Sequence, residues 1–240
     1  MGEKPRLLDL YCGAGGTTRG YQQAGFHVTG VDNRPQPRYV GDAFVLADAL
    51  EYVTAHGADY DAIHASPPCQ KFTPLKAMWN RREHPDLIAP TRAALKSAGL
   101  PYVIENVPGA PLENPVVLCG SMFALGCAEA ELRRHRLFEI SPLFLQATPL
   151  CNHNWKAETI AVYGHAGGSS NRVRTQVIGV YGGHDRDRRR RTNGQNFSTA
   201  ARREAMGVDW MTGTELSEAI PPAYTEFVGQ WLYKVVRPDV

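Results

Sequence analysis

The chain lacks a long apolar run, a Cys-x-x-Cys pair and an excess of one charge, and each absence removes a class of protein. No stretch approaches the roughly 18 apolar residues of a membrane span. The opening MGEKPRLLDLYCG has basic residues but neither the apolar segment of a signal peptide nor the Ser or Thr of a myristoylation signal. The five cysteines (Cys12, Cys69, Cys119, Cys127 and Cys151) are odd in number and irregular in spacing. That argues against a disulfide framework and for a reducing, cytoplasmic compartment. CNHN (151–154), taken with Cys119 and Cys127, lacks the short paired spacing of structural zinc sites, so no metal is expected. Lys and Arg number 26 against 24 Asp and Glu, a net charge of +2, so the whole molecule is not a polycation. Basic charge is concentrated instead in HDRDRRRRT (184–192), which holds Arg186, Arg188, Arg189, Arg190 and Arg191.

The 240 residues suit one domain, or one plus a small lobe. RLLDLYCG (6–13), FHVTGVDN (26–33), YDAIHAS (60–66) and PYVIENV (101–107) read as buried strands, with helical stretches at 17–25 and 87–99. Strands alternating with helices predict an α/β fold, a doubly wound, mostly parallel sheet. Ligands in such sheets lie beyond the carboxyl ends of the strands. The pattern weakens after HRLFEIS (135–141). Residues 142–197, rich in Gly, Asn, Arg and His, read as a small inserted lobe between a catalytic part (1–141) and C-terminal helices (198–240), with Pro221–Pro222 ending one helix and opening the next.

Several short motifs carry candidate chemistry. DLYCGAGG (9–16) is a strand entering a glycine-rich turn before a helix; it is neither GxGxxG nor a phosphate loop with Gly-Lys-Ser/Thr. Its glycines allow close approach of a ligand, and Asp32, ending the next strand, is placed to accept hydrogen bonds from a ribose, so an adenosine-containing cofactor is expected. SPPCQ sets Cys69 on a stiff, polar loop, where a nucleophile rather than a packing thiol is expected; such a thiol needs a lowered pKa and a fixed direction. Glu105 leaves a buried strand, and desolvation should raise its pKa. In LRRHRLF (132–138), Arg134 and Arg136 would share one face of an extended segment and hold an oxygen or a phosphate.

Taken in order, DLYCGAGG, VDN, SPPCQKFT, ENV, RRHR and AIPPAY resemble the DNA cytosine-5 methyltransferase family, and the small size resembles its compact phage and prophage members. The resemblance spans residues 7 to 229 and implies S-adenosylmethionine, or a carboxylated analogue, as donor in a bacterial or phage-infected cytoplasm. It implies that Asp9, Tyr11, Cys12, Gly13, Ala14, Gly15, Gly16, Asp32, Asn33, Asp48, Pro67 and Glu218 surround that donor. Asp32 would meet the ribose and Asp48 the adenine amino group. It further implies Cys69 as nucleophile, Glu105 at cytosine N3 and the exocyclic amine, and Arg134 and Arg136 as the arginine pair, with Arg136 at O2. Tyr11 stands where many members have Phe, Leu132 where the family often has Gln, and Glu218 where many have Asn.

The implied substrate is double-stranded DNA with the target base flipped out. Gln70 and the arginine run at 186–191 are the expected nucleic-acid contacts. A lobe of about 55 residues is small for a recognition module, leaving recognition to a short site or to a second copy of the chain, a homodimer. RNA as substrate, or a donor carrying a group other than methyl, gives alternative forms of the same chemistry.

Overall fold

A computed structural model describes residues 2–72, 85–127, 130–143, 146–153, 177–178 and 197–239. Seven strands form the main sheet: β1 (Arg6–Leu10), β2 (His27–Asp32), β3 (Ala43–Leu46), β4 (Ala62–Ala65), β5 (Tyr102–Asn106), β6 (Val116–Leu118) and β9 (Arg136–Ser141). Their order is β3-β2-β1-β4-β5-β9-β6. The first five run parallel, β9 lies antiparallel to β5, and β6 is antiparallel to β9. The expectation of a mostly parallel sheet holds. The order reverses between β1 and β4, so a crevice opens beyond their carboxyl ends.

The strands read as continuous apolar runs because both faces are covered. Alternate residues feed two cores: Leu7, Val28, Ala62 and Val103 join one, and Leu8, Ile63, Tyr102 and Ile104 the other. Helices α1 (Gly16–Gln23) and α6 (Pro222–Val236) cover the first face through Tyr21, Tyr224, Val228 and Leu232. Helices α2 (Ala49–His56) and α3 (Ile88–Ala98) cover the second through Val53 and Leu95. Pro90 is tolerated because it is the third residue of α3, where no intrahelical N–H bond is lost. Pro222 opens α6 at its first helical position, as expected.

A third core joins the glycine turn to a small hairpin, β7 (Gly126–Cys127) and β8 (Ala130–Leu132), and to α4 (Thr199–Met206) and α5 (Gly213–Glu218). Ala14, Leu132, Met206, Met211 and Leu216 meet there. A two-residue strand, β10 (Val177–Ile178), pairs parallel with β8. Helices α1 and α6 approach so closely that a Cβ on Gly20 would collide with the Pro222 carbonyl and the Thr225 hydroxyl. Thr225 Oγ1 donates to the Thr17 carbonyl across that contact at 2.9 Å. Among the described residues, no helix is long and apolar enough to cross a membrane. Most of the segment expected to form a recognition lobe, including the arginine run at 186–191, lies outside the described residues.

Candidate active site

The glycine turn forms at the carboxyl end of β1. Tyr11 and Gly13 take left-handed backbone conformations (φ 60° and 50°), and at Gly13 a side chain would meet open space. Gly15 (φ 86°) presses against Tyr39 and Val40, where a Cβ would sit 3.0 Å from Val40 Cγ2. The Trp210 indole donates to the Ala14 carbonyl at 2.8 Å, tying the turn to the C-terminal segment. Gly16 is buried at the start of α1. Asp32 sits beside the turn: its carboxylate accepts from Gly13 N at 3.1 Å and Arg34 N at 3.0 Å. Asn33 is exposed at the lip of the crevice, and exposed Asp48 caps α2 by accepting from Leu50 N and Glu51 N. Tyr11 packs against the α2–α3 core and its hydroxyl meets Thr91 Oγ1 at 3.1 Å.

Two expected donor contacts are placed differently. Asp9 has no exposed surface; one carboxylate oxygen accepts from Thr17 Oγ1 at 3.0 Å and Thr18 Oγ1 at 2.6 Å. Burial pushes its pKa up to about 7, against the two hydroxyl donors. Asp9 therefore braces the turn from behind. Cys12 is buried too, with its thiol pushed far up by desolvation, so its contribution to the turn is its backbone: Cys12 N donates to Val31 O, and Cys12 O accepts from Gly15 N. Arg19, in the first turn of α1, lies over the Trp210 ring at 5.4 Å. Glu218 is exposed as the last residue of α5.

The SPPCQ loop leaves the carboxyl end of β4, next to β1. Buried Asn106, ending β5, donates from Nδ2 to the Pro67 carbonyl at 2.8 Å, and its Oδ1 accepts from Val107 N at 2.9 Å. With Pro67 and Pro68 restricting the backbone and a turn closed by Phe72 N on Cys69 O, the loop is fixed at both ends. Cys69 is half-buried and Gln70 exposed. A lowered thiol pKa was expected here, and the structure gives the opposite direction. Burial pushes the Cys69 thiol up and the Glu105 charge adds to this, outweighing Arg136 and Arg134. At rest the group is a thiol.

Glu105 is buried, with its pKa raised by desolvation as expected, against Arg136, Ser66 and Arg134. Arg136 Nε lies 3.2 Å from Glu105 Oε1, and Arg136 Nη1 donates to the His135 carbonyl. Behind Glu105 runs a buried polar chain with no local sequence signature. Tyr21 OH meets His64 Nδ1 at 2.9 Å, and His64 Nε2 meets Ser66 Oγ at 2.9 Å. Burial pulls His64 down to about 3, so the imidazole is neutral. One proton arrangement satisfies every group: Tyr21 donates to Nδ1, Nε2–H to Ser66, and Ser66 to Glu105.

Arg134 departs from its expected role as half of a substrate-facing pair. It is 3% exposed; Nη2 donates to the carbonyls of Ser217 and Ala219, each at 2.8 Å, and its own carbonyl accepts from Tyr224 OH at 2.6 Å. It is a positioning residue that holds the α5–α6 turn. Irregular cysteine spacing gave no metal site in the sequence, but the fold brings possible ligand groups together. Cys127 goes to the third core, but Cys119, His135, Cys151 and His153 bring their ligand atoms within 4.8 Å of one another. The donor groups come from three stretches of the chain, at 119, 135 and 151–153, and none of them forms a short Cys-x-x-Cys pair.

The residues present fit an adenosine-containing donor. A turn that leaves open space at Gly13, an acid at the end of β2 and a second acid at the start of α2 all border the β1–β4 crevice, with Cys69 at the next strand end. No protein-family model matches the chain, and no curated protein sequence matches it. Among solved structures, a candidate DNA modification methyltransferase encoded within an E. coli prophage aligns over 57% of this chain and 46% of its own, at 19% identity and a TM-score of 0.39. This chain thus spans about half the length of that protein. The Dnmt2 methyltransferase of S. pombe aligns over 98% of this chain and 99% of its own, at 15% identity and a TM-score of 0.57. That likeness concerns the fold: a mostly parallel seven-stranded sheet with flanking helices.

Proposed function

We propose that the protein transfers a methyl group from S-adenosylmethionine to C5 of a flipped-out cytosine in DNA, through a covalent bond between Cys69 and C6. The observation that carries this reading is the convergence of Cys69, Glu105 and Arg136 at the ends of β4, β5 and β9, with the Arg136–Glu105 pair at 3.2 Å and both charges acting on the thiol. A buried carboxyl with a raised pKa beside a guanidinium and a thiol is costly as a packing motif and useful as a device for activating a ring.

Cytosine C5 is a weak nucleophile. Cys69 gives its proton to water as its sulfur adds to C6, and the ring electrons move to C5. Glu105 shares its proton with N3 and stabilises the charge that develops there. Arg136 does the same at O2. Asp32, Asp48 and the turn at 11–16 would hold S-adenosylmethionine, which would supply an electrophilic methyl to C5 and leave as the neutral thioether. Loss of the C5 proton to water then lets Cys69 leave, restoring the aromatic ring and the thiol. The enzyme returns to its resting, protonated state, which its raised pKa favours.

One incubation tests the reading: the purified chain with S-adenosylmethionine and either duplex DNA or transfer RNA, followed by nucleoside mass spectrometry. 5-Methylcytosine in the DNA arm is the expected result. Product in the RNA arm alone overturns the substrate, an added mass other than methyl overturns the donor, and unmodified cytosine in both arms overturns the reaction.

A further inference from the structure

Four residues outside the proposed reaction meet on the far side of the Arg134–Arg136 segment. Cys119 follows β6, His135 lies between the two arginines, and Cys151 and His153 stand where the chain leaves the sheet toward residue 154. His153 Nε2 lies 3.0 Å from Cys151 Sγ, 3.3 Å from His135 Nε2 and 3.8 Å from Cys119 Sγ, and Cys151 Sγ lies 3.4 Å from His135 Nε2. Tetrahedral zinc, with bonds of about 2.3 Å to sulfur and 2.0–2.1 Å to nitrogen, sets its ligands about 3.6 Å apart for sulfur and nitrogen and about 3.3 Å apart for two nitrogens. Three of the four contacts lie within about 0.2 Å of those spacings, and the His153–Cys151 contact, at 3.0 Å, is shorter.

The arrangement around His153 separates a cation from a hydrogen-bonded group. His153 Nδ1 meets Glu131 Oε1 at 2.9 Å, and the carboxylate can only accept, so Nδ1 carries the proton and Nε2 a lone pair. That lone pair faces two sulfurs and a second imidazole nitrogen. One hydrogen bond would satisfy one of these contacts; a cation satisfies them all. The Glu131–His153 contact is also the outer-shell carboxylate that orients a metal-bound imidazole.

We propose that Cys119, His135, Cys151 and His153 bind one zinc ion in a closed, structural tetrahedral site. Two thiolates and two neutral imidazoles cancel the charge of a divalent cation, and this soft, mixed sulfur–nitrogen set suits zinc over magnesium or calcium. Binding displaces the two thiol protons to solvent and changes no oxidation state. The ion ties the segment that begins at 146 to the sheet, and it fixes His135, whose carbonyl holds Arg136 Nη1 at 2.9 Å. The metal thereby supports the position of Arg136 without touching substrate.

The test does not depend on the transferase reading. The full chain, expressed with zinc and purified under reductant into metal-free buffer, is assayed by elemental mass spectrometry. One zinc per chain is expected, retained in Cys127→Ala and lost in Cys151→Ser and in His153→Ala. No zinc in the unaltered chain, or equal zinc in the two ligand variants, overturns the proposal, as does a two-dalton mass loss marking a Cys119–Cys151 disulfide. If the ligand variants do not fold, cobalt loaded into the unaltered chain decides. Intense tetrahedral bands with thiolate charge transfer support the site, and a weak octahedral spectrum overturns it.

Discussion

Arg134–His135–Arg136 borders two clusters of reactive groups built on different physics. On the side of β4 and β5 lie Cys69 and Glu105, each of whose ionisation shifts with the other's charge or with Arg136. On the far side lie two thiols and two imidazoles, close enough to share one ion. The first group works through mismatch: a buried acid and a half-buried thiol, both with raised pKa, beside a guanidinium. The second works through saturation, every donor atom turned to one point. An electrostatic cluster is therefore sensitive to any change of charge, whereas a tie is sensitive only to loss of a ligand.

The largest effect that would sharpen this contrast is at the nucleophile. Cys69→Ser should abolish covalent capture of DNA containing 5-fluorocytosine and lower methyl transfer by on the order of 10⁶-fold, the scale seen when a nucleophile is removed outright. Retained capture, seen on a denaturing gel, would break the assignment.

Next comes a variant with opposite signs in two assays. Glu105→Gln should lower turnover by roughly 10²–10⁴-fold, yet it should speed alkylation of Cys69 by iodoacetamide at pH 8. The Glu105 charge raises the thiol pKa, so removing it lowers that pKa and increases the thiolate fraction. In the unaltered chain the alkylation rate should keep rising with pH beyond the usual thiol range. A midpoint below that range would contradict the buried, protonated thiol.

A smaller effect distinguishes Arg134 from Arg136. Arg134→Met removes two charge-assisted hydrogen bonds to backbone carbonyls, each worth about 1.5–3 kcal/mol. The urea midpoint should fall, and KM for the donor should rise more than kcat falls, because the α5–α6 turn rather than the ring contact is lost. A pure loss of kcat would return Arg134 to the substrate. The smallest effect is that of Ser66→Ala. The Ser66 hydroxyl helps hold the Glu105 pKa down, so its removal should move the Glu105 limb of the pH–rate profile upward by about 1 kcal/mol equivalent, under one pH unit.

The sequence made the doubly wound core readable where strands are buried on both faces. RLLDL, HVTGVD and YVIEN are apolar enough to stand out, and their carboxyl ends locate the crevice. β3, β6, β7 and β8 did not stand out, because they are two to four residues long and partly exposed. Cys69 and Glu105 were legible because stiff or apolar neighbours make each anomalous. Arg134 was misread because two-residue alternation gives the direction of a side chain but not its depth. Asn106, which anchors the Pro67 carbonyl, and the Tyr21–His64–Ser66 chain escaped notice, since each depends on a partner 39 or more residues away or on the face of another strand. Of the four clustered metal-ligand groups, Cys119, Cys151 and His153 stood out in the sequence, whereas His135 was masked by the arginines on either side.

The close seat of α1 on α6 also has a consequence in time. The glycine turn and α1 lie near the start of the chain, but the surface that α1 needs, through Thr17 and Gly20, is supplied by Pro222 and Thr225 some 200 residues later. At the pace of translation, about 5–20 residues per second, α1 waits roughly 10–40 s for its partner. The turn is made well before the surface that completes it. A ribosome that stalls before Pro222 releases a chain whose strands can pair but whose crevice is missing one wall.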